Sequence, residues 1–273
     1  MATRIYALAN QKGGVGKTTT AINLATGLAA CGQQVLLIDA DPQGNASTGL
    51  GVLPNQREKN LYDVLIDRVQ GSEALVQTCV DNVTLIPATV DLAAAEVELM
   101  QLDRPQYVMK SYLDRLGKGY DAVIIDCPPA LGLLTINSLV AANRVLVPLQ
   151  TEFYALEGLA HLLKTIETVR KHFNPALSLQ GVILTMYDKR NKLSEVVAND
   201  VRSYLGSRVF DTVIPRNVKV SEAPSHGKPA ILYDVKSSGA QAYIALAAEL
   251  LKREGISIQA PTATASPLSK VSN

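Results

Sequence analysis

Short runs of apolar and β-branched residues alternate along the chain with longer stretches of helical period. Such alternation builds a mainly parallel sheet with helices on both faces, an α/β architecture. Strands are predicted at residues 4–9, 34–39, 83–87, 121–126, 144–149, 179–186 and 209–213. Helices are predicted at 17–31, 92–101, 106–116, 133–142, 156–173, 193–204 and 240–253, the last stopped by Gly255. Runs such as Val123-Ile124-Ile125 are apolar on both faces, as a sheet covered on both sides requires. One domain over 1–255 follows. From Ile256 periodicity ends in a Pro-, Thr- and Ser-rich stretch with too little apolar surface to offset ordering, so 256–273 is expected to be a flexible tail.

Composition removes several classes of function. The 273 residues carry 26 Lys and Arg against 25 Asp and Glu, so nucleic-acid binding by bulk charge is excluded and any basic face must be local. Cys31, Cys79 and Cys127 are far apart and form neither a disulfide framework nor a zinc pattern. A reduced cytosol fits them, and the N-terminus lacks the layout of a secretion signal. The most apolar stretch, 133–149, is interrupted by Asn137, Asn143, Arg144 and Pro148, which suits a core and not a membrane span.

The most informative stretch follows the first strand: Gln11-Lys12-Gly13-Gly14-Val15-Gly16-Lys17-Thr18-Thr19-Thr20, running into a helix. Glycines allow a tight loop to aim successive backbone N–H groups at one anion, and the helix N-terminus adds its dipole. Lys17 then meets phosphate and Thr18 magnesium, the layout of a P-loop that holds the phosphates of a nucleotide with Mg2+. A glycine-rich turn before a helix is the bland alternative, and Gly-Lys-Thr in a strand–loop–helix context outweighs it. The ordinary P-loop glycine five places before Gly16 is replaced by Gln11, and a second lysine, Lys12, opens the loop. Alone, Lys12 reads as a solvated loop residue.

Two further strands end in carboxylates at the sheet edge where ligands of open α/β sheets bind. Leu36-Leu37-Ile38-Asp39-Ala40-Asp41-Pro42 would pass for a strand-ending turn in isolation, yet it follows the P-loop by about twenty residues. Val123-Ile124-Ile125-Asp126-Cys127-Pro128-Pro129 has Walker B character, a buried strand delivering Asp126 to the metal shell. Cys127 has no neighbouring histidine to act as base and reads as a small buried residue.

Lys-Gly-Gly-x-Gly-Lys-Thr resembles the deviant Walker A motif of the ParA/MinD class of P-loop ATPases. The stretches 181–190, 214–218 and 221–229 are similar to chromosomal, Soj-type ParA partitioning ATPases, and the likeness runs from about Ile5 to Leu251. The resemblance implies that Lys12 reaches across a dimer interface to the partner's nucleotide, and that Asp41 serves the attacking water and the magnesium shell. Asp39 would support the site indirectly. Gly13, Gly14, Val15, Gly16, Lys17, Thr18 and Thr19 would hold the nucleotide phosphates, with Asn217 and Pro224 framing adenine. His226 lacks a catalytic partner and reads as a turn residue.

The same resemblance implies an ATP-dependent homodimer, non-specific DNA binding through Arg190 and Lys219, a ParB-like centromere-binding partner, and a cytoplasmic, nucleoid-associated location. Between Met186 and Lys236 the basic residues exceed the acidic by only three, so local charge alone would not have singled out this region. Position 219 is often arginine in the family, and lysine there loses bidentate phosphate geometry. Only eleven residues precede Lys12, so the helix-turn-helix of larger plasmid ParA proteins is not expected. The alternative is a membrane-associated positioning ATPase of MinD type. Its basic amphipathic C-terminal helix has no counterpart in a tail whose one lysine is Lys270. A metabolic ATP-dependent ligase or amidase on the same fold is the third class.

Overall fold

The computed structural model describes residues 3–116 and 119–257. In chain order it contains β1 (Arg4–Leu8), α1 (Lys17–Ala30), β2 (Val35–Asp39), α2 (Asn45–Gly49), α3 (Leu61–Leu65), β3 (Val76–Gln77), β4 (Val83–Ile86), α4 (Leu92–Leu99) and α5 (Val108–Leu116). Then come β5 (Ala122–Asp126), α6 (Leu133–Ala141), β6 (Arg144–Gln150), α7 (Ala155–His172), β7 (Ser178–Thr185), α8 (Lys192–Leu205), α9 (Val218–Glu222), α10 (Ala230–Tyr233) and α11 (Ser238–Arg253).

All seven strands join one sheet in the order β3-β4-β2-β5-β1-β6-β7. Every neighbouring pair is parallel except β3 with β4. Because side chains alternate across a strand, each strand feeds two cores. Tyr6, Leu8, Leu37, Ile124 and Leu146 face α1 and α11 through Leu24, Leu28, Tyr243 and Leu246. Ala7, Ile38, Ile125 and Val147 face the opposite layer, built by α3 to α8. This is the mainly parallel, two-sided fold that the apolar pattern implies.

The expected strand at 209–213 is a correction. Only isolated bridges form there, Val182 with Val209 and Tyr187 with Pro215. Phe210 N–H still donates to Val182 and Ile214 N–H to Leu184, both at 2.9 Å. Between them the Glu249 carboxylate on α11 accepts the N–H groups of Asp211 and Thr212, each at 2.9 Å, so a side chain takes donors that a longer ladder would use. The expected helix at 92–101 ends at Leu99. At the C-terminus, Ile256 N–H bonds Leu251 and its side chain packs on the core, so the chain is still packed at the first residue of the expected tail. Residues 258–273 of that tail lie outside the described residues.

The strand order decides where chemistry gathers. β5 lies between β1 and β2, with Asp126 in register with Leu8 on one side and Asp39 on the other. Three adjacent strands therefore end side by side, and the loops leaving them share one edge.

Candidate active site

The loop leaving β1 is pinned at each end. Asn10, 5% exposed, donates its amide to Pro148 O at 2.7 Å and accepts the Lys12 N–H at 3.0 Å. Val15 O accepts the Thr185 hydroxyl at 2.8 Å. Gly14 and Gly16 have φ of +75° and +87°, a left-handed backbone that a side chain would strain. Gly16 caps α1, with its carbonyl accepting the Thr20 N–H at 2.9 Å. Lys17, the first residue of α1, is 7% exposed and its ammonium donates to Lys12 O at 3.0 Å. Burial lowers the Lys17 pKa against the opposing pull of Asp126, Cys127 and Asp41. The loop thus keeps a partly desolvated cation folded back over its own backbone, next to donors suited to an anion.

At the end of β5, Asp126 is fully buried and, among the described residues, neither carboxylate oxygen has a hydrogen-bond partner of ordinary geometry, the Thr18 hydroxyl being its nearest polar neighbour in effect. Burial and the neighbouring Asp39 raise its pKa well above the usual range, with the Thr18 side chain and Lys17 pulling the other way. An orphaned buried carboxylate beside a threonine fits a site completed by a cation. Magnesium draws on one or two carboxylates plus phosphate oxygens and water, a donor set that Thr18, Asp126 and the half-buried Asp41 fit. Next door, the Cys127 thiol is pushed up to about 12 by burial and stays protonated, which agrees with its reading as a core residue.

Asp39 and Asp41 divide their work by exposure. Asp39 is fully buried, and one of its oxygens accepts both the Ser47 N–H at 2.8 Å and the Ser47 hydroxyl at 2.7 Å. The same hydroxyl accepts the Ala88 N–H at 3.1 Å, tying α2 to the exit of β4. Asp41 is half-buried, and its carboxylate accepts the Gln43 N–H of the turn at 3.0 Å. A buried guanidinium braces this segment: Arg57 donates to Val52 O, Ala88 O and the Thr48 hydroxyl. Gly44, which caps α2, lies directly under it, since a Cβ at 44 would come within 2.5 Å of the guanidinium and 2.9 Å of Ala88 O.

Desolvation raises the Asp39 pKa to about 6. In the nucleotide-free protein the folded state holds this proton more tightly than the unfolded chain, whose aspartates titrate near ~3.9. Stability should therefore fall as pH rises from about 4 to about 6, by roughly 3 kcal/mol for this group. Asp39→Asn keeps an acceptor for Ser47 and should make urea-unfolding stability over pH 4 to 7 less steep by about that amount. An unchanged slope would mean that Asp39 is already ionised at pH 4.

Lys12 reaches away from the bound backbone of its own loop and pairs with Glu152, two residues past β6. Phe153 and Tyr154 follow it, both exposed and stacked edge to face. The expected adenine frame lies elsewhere on the rim. Asn217 caps α9, accepting the Val220 N–H at 3.2 Å and donating to the Ser238 hydroxyl at 2.9 Å. Pro224 packs toward α2, 4.0 Å from where a Gly49 Cβ would stand.

Both expected DNA contacts are exposed and already paired. Arg190 makes a bidentate contact with Asp188 at 3.0 and 2.9 Å, which lowers the Asp188 pKa to about 2. Lys219 pairs with Glu222 at 2.9 Å and stands 5.7 Å over the Tyr233 ring. Ser47, Arg57, Asn10 and Glu152 carry no motif signal, and spacing would not have found them.

A strand-ending P-loop, a buried aspartate on the next strand and a second loop lysine define the class: a P-loop nucleotide hydrolase of the deviant Walker A type. A family model described as an AAA domain matches residues 3–179. The chain is 58% identical over 253 residues to the chromosome partitioning protein ParA of Caulobacter vibrioides, spanning 92% of this chain and 95% of the relative. It is 51% identical to the sporulation initiation inhibitor protein Soj of Bacillus subtilis, over 90% of this chain and 98% of that one. A solved Mycobacterium smegmatis structure, described as cobyrinic acid a,c-diamide synthase with bound ATP analog and magnesium, superposes with a TM-score of 0.81 at 41% identity, covering 93% of this chain and 96% of that chain. The chain belongs to the ParA/Soj family of chromosome-partitioning ATPases. It hydrolyses ATP, with ATP and Mg2+ as its cofactors.

Proposed function

We propose that the chain is a nucleotide-gated partition switch in which two copies close face to face on ATP, bind DNA without sequence preference, and separate after hydrolysis stimulated by a ParB-like partner. The observation that carries this reading is the second P-loop lysine: Lys12 is half exposed and stands off its own loop, where it can be offered to another copy.

The residues divide the work as follows from their chemistry. Gly13 to Thr19 wrap the phosphates with N–H groups and the α1 dipole, and Lys17 neutralises them. Thr18 and Asp126 hold the metal, which supplies charge neutralisation at the phosphates. Asp41, the half-buried carboxylate, orients the attacking water and joins the metal shell. Asn217 and Pro224 frame the base, Asn217 through the hydrogen-bonding capacity left after Val220 and Ser238. Lys12 acts in trans, as an arginine finger does.

DNA binding is assigned to Arg190 and Lys219. Exposed ion pairs are worth only ~0.2–1 kcal/mol, so exchanging Asp188 and Glu222 for DNA phosphates costs little. ATP-dependent DNA binding tests nucleotide, dimer and partner class together. Arg190→Ala and Lys219→Ala should each flatten the log–log salt dependence by about one to two units per dimer, with ATP-dependent dimerisation kept. Identical slopes and affinities in wild type and both variants would remove this surface from the proposal.

The location that follows is the cytoplasm, on the nucleoid. Among the described residues no helix is long and apolar enough to cross a membrane. A MinD-type reading predicts ATP-dependent sedimentation with anionic vesicles and no retention on DNA. The synthase description of the 41% identical structure favours a metabolic reading, under which ATP turnover would ignore DNA and any protein partner.

A further inference from the structure

We infer that Glu152 is a positioning residue that parks Lys12 in its own subunit and restrains ATP-dependent dimerisation until the pair is broken. The inference rests on the trans role assigned to Lys12 above, and it adds the group that must let Lys12 go.

The loop fixes the Lys12 backbone from both sides. Its N–H is held by Asn10 at 3.0 Å and its carbonyl by the Lys17 ammonium at 3.0 Å. What remains free to move is the side chain, and within the described residues its ammonium pairs with the Glu152 carboxylate. Glu152 is no passing surface charge. β6, which delivers it, is the hydrogen-bonded neighbour of β1, which delivers the loop. Its backbone is locked where α7 begins: its N–H bonds Gln150 O and its carbonyl accepts the Ala155 N–H, both at 3.0 Å. The Glu152 side chain is 27% exposed against 50% for Lys12, so the carboxylate is the more enclosed, fixed half of the pair.

A lysine cannot serve the phosphates of a second copy while its charge is held by Glu152. Closure must break two such pairs, one from each copy, and the free energy of both is subtracted from dimerisation. Phe153 and Tyr154 are exposed directly beside the pair, so a copy closing over this face excludes water from the lysine as it is released. For pairs of this exposure the restraint corresponds to about 1.5- to 5-fold per subunit, hence about 2- to 25-fold per dimer.

The test is Glu152→Gln, which keeps the shape and removes the charge, with Glu152→Asp as the conservative partner. Two quantities are read: the rate of Lys12 acetylation by N-hydroxysuccinimidyl acetate in the nucleotide-free monomer, with Lys59 as internal control, and the dimer dissociation constant in ATPγS by light scattering. Glu152→Gln should raise Lys12 acetylation about 1.5- to 5-fold, leave Lys59 unchanged and tighten the dimer about 2- to 25-fold, with Glu152→Asp between it and wild type. A merely structural lesion would weaken the dimer, not strengthen it. Faster acetylation with an unchanged dimer constant overturns the inference, as does a weaker dimer, which would make Glu152 an interface ligand. Unchanged acetylation also overturns it. Lys12→Ala is measured alongside: if it dimerises like wild type, the trans role itself has failed, a result distinguishable from failure of the restraint.

Discussion

Lys17→Ala is expected to yield a folded protein that ATP barely stabilises. The lysine is nearly buried, its pKa is depressed by desolvation, and the bond to Lys12 O holds it in the fold. Removing a cation that the fold itself disfavours should move the nucleotide-free melting temperature little. The ligand loses far more, because the phosphate charge loses its main counter-ion in the loop. A loss of at least about 100-fold in ATP affinity is expected, the scale of one or two charge-assisted hydrogen bonds. At ATP near 100 times its wild-type Kd the linkage stabilisation is about 2.7 kcal/mol. For a chain of this size that is a rise of about 5–10 °C in Tm, and in the variant it should shrink to less than about 2 °C. Retained thermal stabilisation by ATP would sink the assignment of the whole loop.

Asp41→Ala should separate binding from chemistry. Its carboxylate contributes one hydrogen bond to a turn, so the fold tolerates its loss, while the orientation of the attacking water does not. Turnover is expected to fall about 10^2- to 10^4-fold. With Lys12, Lys17, Thr18 and Asp126 untouched, the ATP dimer should still form and persist, which light scattering and phosphate release read in parallel. Rapid phosphate release would transfer the role to another carboxylate, Asp126 first. Asp39 is poorly suited because both Ser47 donors already hold it inward.

The strands and long helices were legible because each carries an apolar period that local sequence shows. The P-loop and the Asp126 strand were legible because their chemistry is written in consecutive residues. The errors and omissions have a common physical origin. Residues 209–213 have strand composition, and the Glu249 carboxylate, 38 and 37 residues on from the Asp211 and Thr212 N–H groups, takes the donors that would extend the ladder. α2 and α10 are too short for any period to appear and are held by their packing on α1. Ser47 and Glu152 acquire their roles from partners eight and 140 positions away, separations at which sequence carries no pattern.

The Arg57 brace over Gly44 sets terms for how this protein can change over generations. Any side chain at 44 collides with the guanidinium and with the Ala88 carbonyl, from a left-handed backbone that disfavours it, so moving Arg57 alone does not make room. Losing Arg57 first strips the carbonyls of Val52 and Ala88 and the Thr48 hydroxyl of a buried donor. Each single step is therefore uphill, and because the Ala88 carbonyl and the left-handed backbone at 44 remain after Arg57 is lost, the two changes together are uphill as well. Lineages can vary the rim that meets DNA or a partner one residue at a time. Position 44, three residues past Asp41, is closed to them.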